Sequence, residues 1–399
     1  MYTYRLVSYP LRIGTALFAR LRGRVCLVSS LVAPLPPPHF YSSTCIARCS
    51  FLFLKNVLSL ILMKEAQLYQ KLPHQQVECL TCPHRCILEP GQRGLCGVRE
   101  NQKGKLYSLV YGKIVALDID PIEKKPLFHF LPGTNSLSLG TVGCQFRCLS
   151  CQNWEISQSP KLTKQIQGKS ITPKQIIALA QRYHLPSVSY TYNDPIVFLE
   201  YALDIMKLAH QEHLKNVWVT SGYLTPQSLE LIFPYLDAAN VDLKGFSESF
   251  YNKYCGGHLA PVLNILQGIK KKNIWLEVTT LVIPTLNDSE AELRKIAEFI
   301  YHKLGAETPW HISRFFGDAS WKLQNISPTP LKTLEKASEI GREVGLKYVY
   351  LGNVPDLDKE NTYCPHCQAK VVERHNYQVK RYDKNGKCPY CGADLNIID

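Results

Sequence analysis

The sequence predicts an α/β fold: a partial (β/α)6-type barrel preceded by a Cys-rich segment and followed by a zinc-ribbon-like domain. Three observations point to it. Short β-branched runs alternate with helical segments from residue 136 to residue 352, the pattern of a parallel sheet with crossover helices. Three cysteines spaced C-x3-C-x2-C follow the first of those runs. Two further groups of four cysteines flank the alternating region, one on each side.

Length and composition agree with this layout. A chain of 399 residues is long enough for two or three domains. Eleven of its fifteen cysteines belong to the three groups, at spacings of metal sites rather than of a secreted disulfide framework, so a reducing cytoplasm is expected. The net charge of +13 would suit a nucleic-acid partner, but its distribution does not. Residues 1–62 hold seven Arg and Lys and no Asp or Glu, and thirteen less seven leaves +6 for everything else. No basic run interleaved with aromatics follows, so no dedicated nucleic-acid surface is expected.

Residues 1–62 form a basic, acid-free extension. Its apolar run 51–62 is twelve residues, short of the roughly 20 that span a bilayer, so no membrane association is expected. The composition suits a transit-type leader, and the abrupt onset of acid-containing sequence at Met63 suits a false start upstream of the true one.

Residues 63–135 are the Cys-rich region. Cys79, Cys82, Cys86 and Cys96 stand within eighteen positions, separated by turn-forming Pro and Gly, so they can close on one metal centre. Zinc and an auxiliary iron–sulfur cluster are both open readings. Leu106–Asp118 alternates like a strand pair, Pro121–Phe130 reads as a rigid loop of mixed charge, and His129 as a packed residue of that loop.

Residues 136–355 carry the alternation. Strands are expected at Ser136–Leu139, Ser187–Thr191, Val217–Thr220, Asn240–Leu243, Trp275–Leu281, His311–Phe315 and Tyr348–Leu351. Helices include Pro173–Tyr183, Val197–His210, Pro226–Tyr235, Ser289–Leu304 and Leu331–Val344. Chemistry in such barrels gathers at the C-terminal ends of the strands. There stand Thr191, Asn193 and Asp194, then Thr220, Ser221 and Gly222, then Asp242 and Lys244, His311, and Gly352 with Asn353. Asp242 and Lys244 are two apart, which on a strand turns both to one face. Two charges in a barrel mouth pair with each other or meet a charged ligand.

Residues 356–399 contain Cys364 and Cys367, then Cys388 and Cys391. Two C-x2-C pairs at this separation signal a tetrahedral zinc site, with a rubredoxin-like iron site as the alternative. Cys255 stands alone between Tyr254 and Gly256 and reads as inert or as a group on the substrate side.

The triad is Cys144, Cys148 and Cys151, between Gly143 and Asn153. A [4Fe–4S] cube has four irons, and three thiolates leave one of them open to bind a small molecule. Spacing alone also allows half of a zinc site whose fourth ligand lies elsewhere. The loop Gly140-Thr-Val-Gly143-Cys144 to Cys151-Gln-Asn153 resembles the cluster loop of radical S-adenosylmethionine (SAM) enzymes, with Ser150 where that family usually has an aromatic residue.

From about Met63 to Pro355 the chain resembles more narrowly the radical SAM enzyme of the AmmeMemoRadiSam system, a relative of the pyruvate formate-lyase activating enzymes. The residues that carry this are Cys82-Pro-His-Arg-Cys86, Gly94-Leu-Cys96-Gly-Val-Arg99, Asp120-Pro-Ile-Glu-Lys-Lys-Pro126, His129-Phe-Leu-Pro-Gly133, Cys151-Gln-Asn-Trp-Glu155, Tyr190-Thr-Tyr-Asn193 and His311-Ile-Ser-Arg-Phe315. The resemblance implies a cytoplasmic enzyme that cleaves SAM reductively, with no catalytic side chain assigned beyond the cluster. It also implies an electron donor such as flavodoxin or ferredoxin, and partners of the Memo and AMMECR type. By the same analogy Thr191–Asp194 would bind the amino group of SAM, and Thr220–Gly222, His311 and Gly352–Asn353 its ribose and adenine. Two other readings stand beside it: an activase that makes a glycyl radical on a partner protein, and a non-catalytic, metal-stabilised nucleic-acid binder.

Overall fold

The computed structural model describes residues 63–355, 357–375 and 377–399. The reading of residues 1–62 as a leader or a false start lies outside the described residues. An eight-stranded sheet organises the fold. Its strands are β1 (Ala116–Pro121), β2 (Asn135–Gly140), β3 (Ser187–Tyr190), β4 (Lys215–Thr220), β5 (Ala238–Asp242), β6 (Trp275–Val282), β7 (Trp310–Arg314) and β8 (Val349–Gly352). They lie side by side in chain order, β2 to β8 parallel and β1 antiparallel to β2. This is one strand more than the alternation marked.

The extra strand, β1, escaped the pattern because Asp118 and Asp120 interrupt its apolar residues. Asp120 is buried against β2, where two lysines and a tyrosine satisfy it: Lys124 Nζ at 2.6 Å, Lys125 Nζ at 2.5 Å and Tyr192 Oη at 2.7 Å. The mixed-charge loop after β1 therefore folds a lysine inward.

Helices α1 (Trp154–Thr163), α2 (Pro173–Arg182), α3 (Leu199–Gln211), α4 (Pro226–Ile232), α5 (Leu259–Lys271), α6 (Glu290–Phe299) and α7 (Leu331–Val344) fill the connections. Their starts are legible chemistry. At α2 the Thr172 hydroxyl accepts from Gln175 N–H while Gln175 reaches back to the Thr172 N–H, and Pro173 takes the first position, where its missing donor does no harm. Strand residues such as Val188, Trp218, Val241, Val278 and Ile312 meet helix residues such as Ile176, Ile205, Ile265, Ile296 and Ala337 in one continuous apolar core. No helix among the described residues is long and apolar enough to cross a membrane.

Two small antiparallel sheets lead the chain. One joins Lys64–Glu65, Lys105–Ser108 and Arg99–Gln102; the other joins Tyr69–Lys71, Val77–Cys79 and Ile87–Leu88. The expected pair in Leu106–Asp118 is divided among the first of these, a short strand Lys113–Ile114 that pairs with Lys169–Ser170, and β1. Arg99 ties this region to α3 through a buried fork onto Glu200, Nη1–Oε1 3.0 Å and Nη2–Oε2 2.8 Å.

After β8 the chain forms a three-stranded antiparallel sheet, Thr362–Tyr363, Lys370–His375 and Gln378–Arg381. It is stitched to the loop after β1. Leu131 N–H donates to Ile398 O at 2.7 Å, Ile398 N–H donates to His129 O at 2.8 Å, and His129 Nδ1 meets Leu395 O at 3.0 Å.

His129 is fully buried, and the acceptor at Nδ1 fixes its proton there, leaving Nε2 to accept from Tyr350 Oη at 2.6 Å. Burial is the main cause that pushes its pKa down from 6.5 to about 4. A depressed pKa means that the unfolded chain binds the proton first as pH falls, so stability is complete above pH 6.5 and drains away towards pH 4. The shift from 6.5 to about 4 corresponds to roughly 3 kcal/mol. Urea midpoints between pH 7 and pH 4 should therefore fall more steeply in the wild type than in His129→Asn, and parallel slopes would contradict this assignment.

Candidate functional site

The Cys144 loop leaves the C-terminal end of β2. Gly140 has no room for a side chain, since a Cβ there would lie 2.6 Å from Thr191 O. Gly143 turns the chain with φ +96°, a conformation glycine adopts freely. Backbone bonds then pin the loop on both sides. Gly143 N–H donates to Ile156 O, Arg147 N–H to Cys255 O and Leu149 N–H to Tyr254 O, each at 2.9 Å. Phe146 is its apolar anchor, 1% exposed and packed on Tyr223. The three cysteines remain half-buried.

The turn after β3 clamps this loop. Asn193 Oδ1 accepts from Thr141 N–H at 3.0 Å, and its Nδ2 donates to Gly143 O at 2.8 Å. Asp194 Oδ1 accepts from Thr220 Oγ1 at 3.0 Å, while Oδ2 takes the N–H and the hydroxyl of Ser221. Gln145, inside the loop, donates to Ser221 Oγ at 3.1 Å. Thr191 is buried beside them, and Gly222 N–H donates to Thr220 Oγ1 at 3.1 Å. The ends of β3 and β4 thus converge on the Cys144 side, and Gln145, which no sequence signal marked, joins them.

Asp242 and Lys244 stand on the Cys148 side. They pair at 2.7 Å, with side chains 38% and 23% exposed. Burial works against the Lys244 charge, but Asp242, Cys148 and Cys255 more than offset it and hold the ammonium well above its ordinary range. A hydrogen bond to Cys255 is the largest cause raising the Cys148 thiol, followed by burial. Cys255 is therefore a buried neighbour of the triad rather than an isolated thiol. Burial pushes Cys151 up to about 11, with Cys148 adding to it and Lys244 opposing. Lys161 of α1 is another neighbour that the sequence reading passed over. Its Nζ donates to Phe146 O at 2.7 Å, and its charge is felt by all three thiols. Two ammonium groups thus stand close to the three thiols.

His311 belongs to a different cluster. Strand register sets it level with Thr279, which is level with Asp242. Its side chain, however, bonds Glu277 Oε2 through Nε2 at 2.6 Å and stacks on Tyr350. Glu277 also accepts from the N–H groups of Phe128 and His129 and from Trp275 Nε1. Burial raises its pKa, yet the His311 bond and the amides outweigh that and hold it below the ordinary value. A lone glutamate in an apolar strand carried no signal of this. Gly352 and Asn353 lie at the end of β8 beside Arg314, whose carbonyl accepts from Asn353 Nδ2 at 3.3 Å.

The other cysteine groups differ from each other in spacing. Among the described residues, Cys364, Cys367, Cys388 and Cys391 form the single group of three or more whose ligand atoms all lie within 4.8 Å of one another. The Sγ–Sγ distances Cys364–Cys391 and Cys367–Cys388 are both 3.6 Å. That matches the roughly 3.8 Å expected across one tetrahedral ion bonded at about 2.3 Å. Cys79, Cys82, Cys86 and Cys96 line one common cavity.

Comparison with known proteins places residues 138–300 in the Radical SAM superfamily. An uncharacterized protein of Methanocaldococcus jannaschii is 45% identical over 339 residues, covering 84% of this chain and all of that one. The chain belongs to the Radical SAM superfamily. It is also homologous to the activating enzymes of glycyl-radical systems. The pyruvate formate-lyase-activating enzyme of Clostridium pasteurianum is 23% identical over 164 residues, covering 40% of this chain and 66% of that one. A solved domain of the pyruvate-formate lyase-activating enzyme from Bacteroides vulgatus aligns at a TM-score of 0.37 with 14% identity, covering 42% of this chain and 99% of that domain.

The triad fits the iron–sulfur cluster of that superfamily on its own chemistry. Two sulfurs bonded to one zinc ion at about 2.3 Å can stand no more than about 4.6 Å apart even on opposite sides of it. At least one pair in the triad is further apart than 4.8 Å. Three ligands on one zinc ion therefore do not fit the thiols as they stand, whereas a cluster, which binds each thiolate to a different iron, does not require that approach.

Proposed function

We propose that this chain is an enzyme that binds a [4Fe–4S] cluster through Cys144, Cys148 and Cys151 and cleaves SAM reductively there, for use on a substrate the site does not define. When bound, the cluster would supply an open iron and one electron to SAM, yielding methionine and a 5′-deoxyadenosyl radical. The observation that carries this reading is the convergence of Asp194, Asp242, Lys244 and Lys161 on three half-exposed thiols of one loop.

The residues divide the work. Asp194 uses both oxygens on chain donors, so it positions Ser221 and, through it, the Gln145 segment of the loop. Asp242 and Lys244, paired and partly exposed, would meet the amino and carboxylate groups of SAM. Thr191 and Asn193 would bind the amino group of SAM, and Thr220, Ser221, Gly222, Gly352 and Asn353 would line its ribose and adenine. His311 has Nε2 committed to Glu277, so a contact from it would run through Nδ1. The C-terminal four-cysteine site would hold one zinc ion.

Asp242→Asn separates cofactor binding from cluster assembly. Losing one charge-assisted contact is worth roughly 1.5–3 kcal/mol, about tenfold to a hundredfold in affinity. Calorimetry should show SAM binding weakened by that factor with iron per chain unchanged. Equal affinity would remove Asp242 from the cofactor site.

The activating-enzyme homology favours one second reading, in which the radical is passed to the backbone of a partner protein as a glycyl radical. A glycyl doublet in the electron paramagnetic resonance spectrum of a co-purified protein would select it. A flavodoxin- or ferredoxin-type donor, a cytoplasmic location and association with Memo- and AMMECR-type proteins belong to the proposal through the sequence resemblance.

A further inference from the structure

We infer that Cys79, Cys82, Cys86 and Cys96 hold a second iron–sulfur cluster of the four-iron type, not a zinc ion. The fold brings the four thiols together from separate turns. Cys79 ends the strand Val77–Cys79, Cys82 and Cys86 lie on the turn before the strand Ile87–Leu88, and Cys96 lies on the turn before Arg99–Gln102. All four line one cavity.

Spacing decides between the metals. Sulfurs on one ion bonded at about 2.3 Å cannot be more than about 4.6 Å apart. Any three of these four sulfurs include a pair beyond 4.8 Å, unlike the C-terminal group, where all four lie within it. One ion therefore cannot reach three of them as they stand. A four-iron cluster binds each thiolate to a different iron and does not require that approach.

The wall of the cavity suits an anionic metal–thiolate centre. Arg99 is 2% exposed and lines the cavity, and its Nε has no hydrogen-bond partner although both terminal nitrogens are held by Glu200. A buried donor left over in this way is expensive unless something in the cavity accepts from it. Metal-bound thiolates and the sulfides of an anionic cluster are such acceptors.

The cavity shares a wall with the Cys144 loop. Gln145 lines it, His84 Nε2 lies 3.1 Å from Gln145 O, and a Cβ on Gly143 would fall 2.9 Å from Cys96 O. With four thiolates on four irons, a cluster here has no open position and carries electrons only. Its place suits handing one electron, taken from a one-electron donor, to the cluster on Cys144, Cys148 and Cys151, with no atom transferred. That role rests on the function proposed above; occupancy of the site does not.

Anaerobically reconstituted wild type and a Cys144→Ala/Cys148→Ala/Cys151→Ala variant, both full length, should be analysed for iron, acid-labile sulfide and zinc. The variant should keep about four irons and about four sulfides per chain, and the wild type should hold about twice as much. Adding Cys82→Ala and Cys96→Ala to the variant should remove the remaining sulfide. A variant free of sulfide, or a wild type with only about four sulfides and a second zinc ion, overturns the inference. Equal sulfide of about four in both proteins would instead leave this site standing and refute the cluster at the Cys144 loop.

Discussion

Alanine at Cys144, Cys148 and Cys151 together should remove about four irons per chain and bring 5′-deoxyadenosine formation down to background. The effect is expected to be complete because the three thiols leave the same end of the same strand on one pinned loop. Arg147 and Leu149 are bonded to Cys255 O and Tyr254 O, and Asn193 and Gln145 tie the loop to its neighbours. Iron analysis and product chromatography on the two proteins check this, and retention of both iron and activity would refute the assignment of ligands.

Glu277→Ala should produce the largest loss of stability of any single change considered. The carboxylate is inaccessible to solvent and accepts from Phe128 N–H, His129 N–H, Trp275 Nε1 and His311 Nε2. Those groups belong to the loop after β1 and to β6 and β7, and His129 in turn holds the C-terminal segment through Leu395 O. Removing the acceptor leaves buried donors without partners. Breaking a buried charged network of this kind costs about 3–5 kcal/mol. Denaturant midpoints should fall accordingly, while a loss under about 1 kcal/mol would mean that the donors find other partners and the junction is held by packing alone.

The parallel strands were legible because β-branched residues repeat at regular intervals, and Thr191–Asp194 and Thr220–Gly222 were legible because they end those strands. Cysteine spacing marked all three thiol groups. Pairings that form only in three dimensions were not legible. β1 was hidden because Asp118 and Asp120 break its pattern, and only the folded chain supplies Lys124, Lys125 and Tyr192 to bury Asp120. α1 was hidden by Pro160 and by the many polar residues along it. Lys161 on that helix, Cys255 beside Cys148, and Glu277 beneath His311 meet their partners across long stretches of chain, so no local spacing announces them. His311 shows the converse: its place near the end of a strand suggested a ligand contact, yet a buried glutamate holds one of its nitrogens.

Reductive cleavage of SAM by the full-length protein tests the central claim most directly. Wild type reconstituted under anaerobic conditions, reduced with dithionite and given SAM without substrate, should slowly release 5′-deoxyadenosine and methionine in equal amounts. The Cys144→Ala/Cys148→Ala/Cys151→Ala variant, carried through the same reduction, should release neither. Protein that binds SAM and takes up iron at the Cys144 loop, yet yields no 5′-deoxyadenosine under strong reduction, would contradict the account.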